Sequence, residues 1–104
     1  MEAQILELLR MLKRYPGTFM RSPVNFENYV AFISGLFSGV RFSNGIRYER
    51  EISEWYQSRV AERASNMVWF DQFNREHQKE NDYSKSILLL DTLIEFFEQY
   101  RSSD

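Results

Sequence analysis

Cysteine is absent from the 104-residue chain, which removes disulfides and thiolate metal ligation together and fits a reducing compartment. Histidine occurs once, as His77, and the string EHQKE sets it three residues from Glu80, so this segment offers two ligands where structural zinc takes four. The same imidazole would have to serve any Ser-His-Asp triad, and no Gly-x-Ser-x-Gly elbow occurs. The four glycines, at 17, 35, 39 and 45, are dispersed instead of clustered, so no loop is built to cradle a phosphate chain. Long apolar runs are also missing. The longest aliphatic stretch is Ile87 to Leu90, far short of the ~20 residues that cross a bilayer. These absences point away from metal, nucleophilic and nucleotide chemistry. The expectation is a chain that is not an enzyme and needs no metal or cofactor.

What is present is a globular composition, 43% hydrophobic and 27% charged, with an aromatic share of 16% that supplies large side chains for one core. The length suits a single domain, 1–104. The opening MEAQILELLRMLKR carries Glu2 and Glu7 and is amphipathic with its basic residues last, unlike a secretion signal, and reads as the first helix of a cytoplasmic protein. Charge is uneven along the chain. Residues 1–50 hold seven basic against four acidic side chains, and residues 51–104 hold six against eleven. The acidic half would attract a basic partner and repel a nucleic-acid backbone.

Periodicity predicts an all-α bundle of about five helices. Ile5, Leu8, Leu9 and Leu12 make one stripe of the first helix, which should end near Arg14, where Pro16 biases Tyr15 out of helical geometry. Gly17 is expected at positive φ in a type II turn, making Pro16-Gly17 a corner with Tyr15, Phe19 and Met20 folded back onto the helices. Ser22-Pro23 reads as the start of the second helix, whose buried face is Phe26, Tyr29, Val30, Ile33, Leu36, Phe37 and Val40. Ala31, Gly35 and Gly39 fall four apart on another face. Because helical glycine costs about 1 kcal/mol against alanine, they suggest either close packing on a neighbouring helix or a groove for a partner's backbone.

Ser43-Asn44-Gly45 reads as a loop, followed by a third helix from Tyr48 to Ala64 with Tyr48, Ile52, Trp55, Tyr56 and Val60 inward. A fourth begins at a Ser65 or Asn66 cap and carries Trp69, Phe70, Phe73 and His77 on one face. Asn81-Asp82 should cap a fifth with Tyr83, Ile87, Leu90, Ile94 and Phe97 inward, and residues 101–104 look frayed. The predicted core is Ile5, Leu9, Phe26, Val30, Ile33, Phe37, Trp55, Trp69, Phe73, Leu90, Ile94 and Phe97.

Two surface features invite a functional reading. Asp91, Glu95 and Glu98 lie at i, i+4 and i+7 in the fifth helix, an acidic stripe with Arg101 alone nearby to offset it along the chain. It is a solvated helix face or a docking strip for a basic partner. Arg47, Tyr48, Arg50 and Tyr56 mix arginine with aromatics, the residue types enriched at interface hot spots.

KRYPGTFM, NFENYVAFISGLFSG, EISEWYQSRVAER, SNMVWFDQF and LIEFFEQY follow one another along nearly the whole chain. In that order they resemble a group of small helical bacterial proteins that open with a Lys-Arg-Pro-Gly-Met-Tyr segment. That group is similar to the immunity proteins that accompany polymorphic or contact-dependent growth-inhibition toxins. The resemblance implies a toxin inhibitor acting in the cytoplasm by occlusion. Against a nuclease toxin, Asp91, Glu95 and Glu98, joined by Glu51 and Glu54, would oppose the basic channel while Tyr48 and Tyr56 serve as aromatic anchors. The alternative is a small helical adaptor or regulator that meets nucleic acid through Arg10, Lys13, Arg14 and Arg21 in its basic first half.

Overall fold

In a computed structural model the chain is described over residues 1–19, 25–59 and 69–102, with the backbone alone for residues 18, 19, 101 and 102. Its amphipathic opening forms α1 (Glu2–Arg14), in which Ile5, Leu6, Leu9 and Leu12 are buried and Lys13 and Arg14 complement the negative helix terminus. The helix stops at Tyr15 (φ −131°, ψ 65°), as the steric demand of the following proline requires. Pro16 then opens a one-turn helix, α2 (Pro16–Phe19), suited to a residue with fixed φ and no amide donor.

This corrects the expected turn. Gly17 is helical, Gly45 alone among the described residues takes a positive φ, and Tyr15 stands in solvent at 54% exposure instead of folding back. The side chain of Phe19, and Met20, lie outside the described residues.

Helix α3 (Phe26–Asn44) starts later than expected. Extended Asn25 is its cap, with Oδ1 accepting the Asn28 N–H at 2.9 Å, while Ser22 and Pro23 fall outside the described residues. Asp82 adds a second anchor by accepting the Phe26 N–H at 3.1 and 3.3 Å. At the other end Gly45 (φ 73°) closes the helix by donating its amide to the Arg41 carbonyl at 2.8 Å, a left-handed conformation that glycine takes without strain.

Helix α4 (Tyr48–Arg59) follows at once, then α5 (Trp69–Glu76) and α6 (Asp82–Ser102). The expected end of the third helix at Ala64, Val60 on its stripe, and the Ser65 or Asn66 cap lie outside the described residues. Asn81 caps α6 as expected, its Oδ1 accepting the Ser84 N–H at 2.7 Å. That helix runs to Ser102, so residues 101 and 102, read as frayed, continue it. Residues 103 and 104 are outside the described set.

Among the described residues the fold is therefore an all-α bundle of five helices with one extra turn, compact at a Cα radius of gyration of 13.4 Å against the ~13 Å typical of one domain this long. Helix α6 is the mast: α1 lies along it most extensively, and α3 and α4 also pack on it.

Nine of the twelve predicted core residues are buried. Val30, Trp55 and Ile94 are half-buried against the core's edge. The inward face of α6 is Ser86, Leu89, Leu90, Leu93, Phe96 and Phe97, rotated from the expected stripe. Tyr83 consequently points out, 67% exposed. The rotation follows from α6 being covered by three helices, which demands a wider apolar arc than one stripe provides.

Candidate functional site

The acidic stripe is assembled on α6, but it does not stand alone. Lys13 Nζ meets Asp91 at 2.5 Å, Arg10 meets Glu98 at 2.8 Å, and Arg59 meets Glu95 at 2.9 Å. Antiparallel packing of α1 along α6 places two cations against two of the acids, and α4 supplies the third. The expectation that Arg101 alone was near enough to offset the stripe is thereby corrected. These pairs are solvent-exposed, so each is worth only about 0.2–1 kcal/mol. They nonetheless remove the stripe's net charge. They also engage Arg10 and Lys13, two of the four side chains assigned to a nucleic-acid contact, and Arg21 lies outside the described residues.

The remaining predicted contact residues scatter. Glu51 and Glu54 are exposed on α4, Glu54 within 3.5 Å of Arg50 one turn earlier. Tyr48 and Tyr56 are corrected outright as surface anchors, at 1% and 6% exposure.

Tyr48 packs edge-on to Phe97 and Tyr100 (5.2 and 5.9 Å between centroids) and beside Phe37 (6.2 Å). Its hydroxyl faces the Glu2 carboxylate without a well-formed hydrogen bond among the described residues, and burial first, then Glu2, raises its pKa. Tyr56 is raised too, first by burial and then by the 2.5 Å hydrogen bond it donates to Glu76 Oε2. Gln72 ties into the same group, donating to Glu76 Oε1 at 3.1 Å and accepting from Gln57. This polar latch joins α4 to α5. Its signal in the sequence is faint, because Gln57, Gln72 and Glu76 look like ordinary surface residues.

Trp55, expected in the core, lies half-exposed between the Phe96 ring (5.3 Å, edge-on) and the Arg59 guanidinium (4.4 Å), with its indole N–H donated to Gln99 at 2.9 Å. His77 stacks beside Phe73 at 4.4 Å between centroids. Among the described residues, no three or more His, Asp or Glu side chains are close enough to hold a metal ion, and no helix is long and apolar enough to cross a membrane.

The outer face of α3 is different in kind. Between Glu27 and Arg41 the helix carries no charge. Its exposed side there consists of Ala31, Gly35, Ser38 and Gly39, followed by Phe42 at 91% exposure. A Cβ built on Gly35 or Gly39 would meet no atom of the described residues within 4 Å. Of the two readings of these small residues, close packing on another helix of this chain finds no neighbour among the described residues. A surface helix normally sets charged or polar side chains outward; this one sets glycine, alanine, serine and a bare phenylalanine there.

Compared with known proteins, the chain matches no family model, no curated protein and no solved structure.

Proposed function

We propose that the protein is a binding module that neutralises a bacterial toxin domain by covering it, and that the outer face of α3 is the docking surface. The observation that carries this reading is the uncharged face from Ala31 to Gly39, with Phe42 exposed one turn beyond on the same side and Arg41 beside it. Small residues let a partner's backbone come close, and a phenylalanine ring standing free offers about 1.5–3 kcal/mol when it enters an apolar pocket. Aromatic side chains, phenylalanine among them, are enriched at protein interfaces.

Occlusion asks for no chemistry from the inhibitor, only for shape and a standard interface of roughly 1,600 Å². The acidic stripe has a smaller part in this mechanism than the spacing suggests. With Arg10, Lys13 and Arg59 already paired to it, a basic channel would have to exchange one set of ion pairs for another at little gain.

The test is co-purification of the protein with a toxin domain encoded beside it. Phe42→Asp should lose the partner while its circular dichroism and melting temperature stay those of the parent, since the ring touches little of its own chain. Retention of the partner by that variant would remove α3 from the interface.

A further inference from the structure

Helix α1 carries a second uncovered feature, an apolar stripe on the side turned away from the core. Met1, Gln4, Leu8, Met11 and Tyr15 follow one another at intervals of three and four residues, the spacing of the seam between two paired helices. Met1, Met11 and Tyr15 are 44%, 41% and 54% exposed, and Leu8 is half-buried. Tyr15 keeps to the stripe because its amide still bonds back to the Met11 carbonyl at 2.7 Å. Three of the five large hydrophobic side chains exposed among the described residues thus fall on one line of one helix. Ile5, Leu6, Leu9 and Leu12 face the core instead, and Arg10 and Lys13 face α6.

The charges of α1 narrow what can cover this stripe. Glu2 lies 3.8 Å from the Met1 amine, and Arg10 and Lys13 are paired with Glu98 and Asp91. Glu7 and Arg14 remain. Both are exposed, and neither makes an ion pair among the described residues; Arg14 has only the Tyr15 ring, 5.9 Å from its guanidinium. Each immediately precedes a stripe residue, Leu8 or Tyr15, and they stand two turns apart on the same flank. On the other flank are Ile5 and Leu12, already buried. Along the helix the open flank therefore runs from acid to base, and its complement is the same sequence running the other way.

We propose that this face is an interface between two copies of the chain, whose α1 helices pair antiparallel about a two-fold axis. In that register Leu8 of each copy meets Met11 of the other, and Tyr15 meets Gln4, a phenol against an amide able to bond to it. The same operation sets Glu7 of each copy opposite Arg14 of the other, and the symmetry makes that contact twice. Charges flanking a helix seam fix partner and direction in this way. A parallel pair would bring Glu7 to buried Leu12 and leave both charges unanswered. Helix α1 is only about 20 Å long at 1.5 Å per residue, so the interface falls below the ~1,600 Å² of a standard complex and the dimer is a weak one. The assignment does not depend on α3 being a docking surface.

The experiment is sedimentation equilibrium of the full chain from about 10 μM to 1 mM. The parent should pass from monomer towards dimer across that range, and less readily in high salt. Glu7→Arg and Arg14→Glu each oppose like charges at both contacts and should each weaken self-association roughly tenfold or more. Mixed in equal amounts, the two variants present acid to base at both contacts again, and should associate with each other as tightly as the parent does with itself. Met11→Glu should leave a monomer, with circular dichroism confirming the fold of every variant. A parent that stays monomeric throughout, a dimer indifferent to the single reversals or to Met11→Glu, or a mixture that associates no better than its components would each overturn the proposal.

Discussion

Replacing Gly35 and Gly39 by alanine tests whether the outer face of α3 is bare. Both residues sit inside a 19-residue helix, neither has a positive φ, and an added methyl meets nothing among the described residues within 4 Å at either position. No packing is disturbed, so helix propensity decides the sign, and each change should stabilise the fold by about 0.4–1 kcal/mol. The two sites are one helical turn apart, with no shared side-chain partner, so their effects should nearly add. For a domain of this size that raises the melting temperature of the double variant by roughly 4–15 °C, measurable by thermal unfolding followed at 222 nm. A fall in melting temperature would refute the reasoning. It would mean that another part of the protein or a second copy already lies against this face.

Other perturbations follow from the same geometry. Reversing Asp91, Glu95 and Glu98 to lysine sets three cations against Arg10, Lys13 and Arg59, and should cost about 1–3 kcal/mol in chemical denaturation, a loss that added salt reduces. Tyr56→Phe removes the hydrogen bond to Glu76 and should cost about 1–2 kcal/mol, while Tyr48→Phe deletes a buried hydroxyl that makes no well-formed hydrogen bond among the described residues and should cost less in the same assay. Tyr48 and Tyr56 keep their protons in the folded state above the usual phenol range. Stability should therefore be full below about pH 10 and fall as pH rises past it, where the unfolded chain releases protons the fold retains, and each Tyr→Phe change should flatten that slope in denaturation series at increasing pH. Gly17→Ala, in the helical turn α2 with no described atom within 4 Å of an added methyl, should leave the melting temperature unchanged or slightly higher.

The helical architecture was legible because the buried positions of α1 and α3 recur with the helical period and because Asn81 and Gly45 are strong terminal signals. The turn at Pro16 was not. Tyr-Pro-Gly-Thr satisfies a type II turn and a new helical turn equally well, and only tertiary context separates them. The face of α6 was misjudged for a related reason. A helix covered on three sides shows a weak period, so Tyr83 looked as apolar and inward as Phe97. Partners across the bundle are invisible to spacing along one helix: Asp91, Glu95 and Glu98 looked unrelieved because Lys13, Arg59 and Arg10 lie 36 to 88 residues away in sequence. Tyr48 and Tyr56 looked like anchors because aromatics on a thin stripe exceed what that stripe must bury, yet α5 and α6 supply the rings that enclose them. What the sequence did carry of the proposed interface is the uncharged interval between Glu27 and Arg41 with its spaced glycines. Their exposure is a property of the fold.

The central claim, that this protein acts by laying the outer face of α3 against a toxin domain, meets its most direct test in Gly39→Arg. Gly39 is exposed and a Cβ there meets no described atom within 4 Å, so the fold should stand while a charge and a bulky stem occupy the place of the partner's backbone. Measured against the toxin domain by calorimetry, with circular dichroism confirming the fold, the account predicts that affinity falls at least a hundredfold, about 2.7 kcal/mol, as expected for a central interface position. An affinity equal to that of the parent would contradict it.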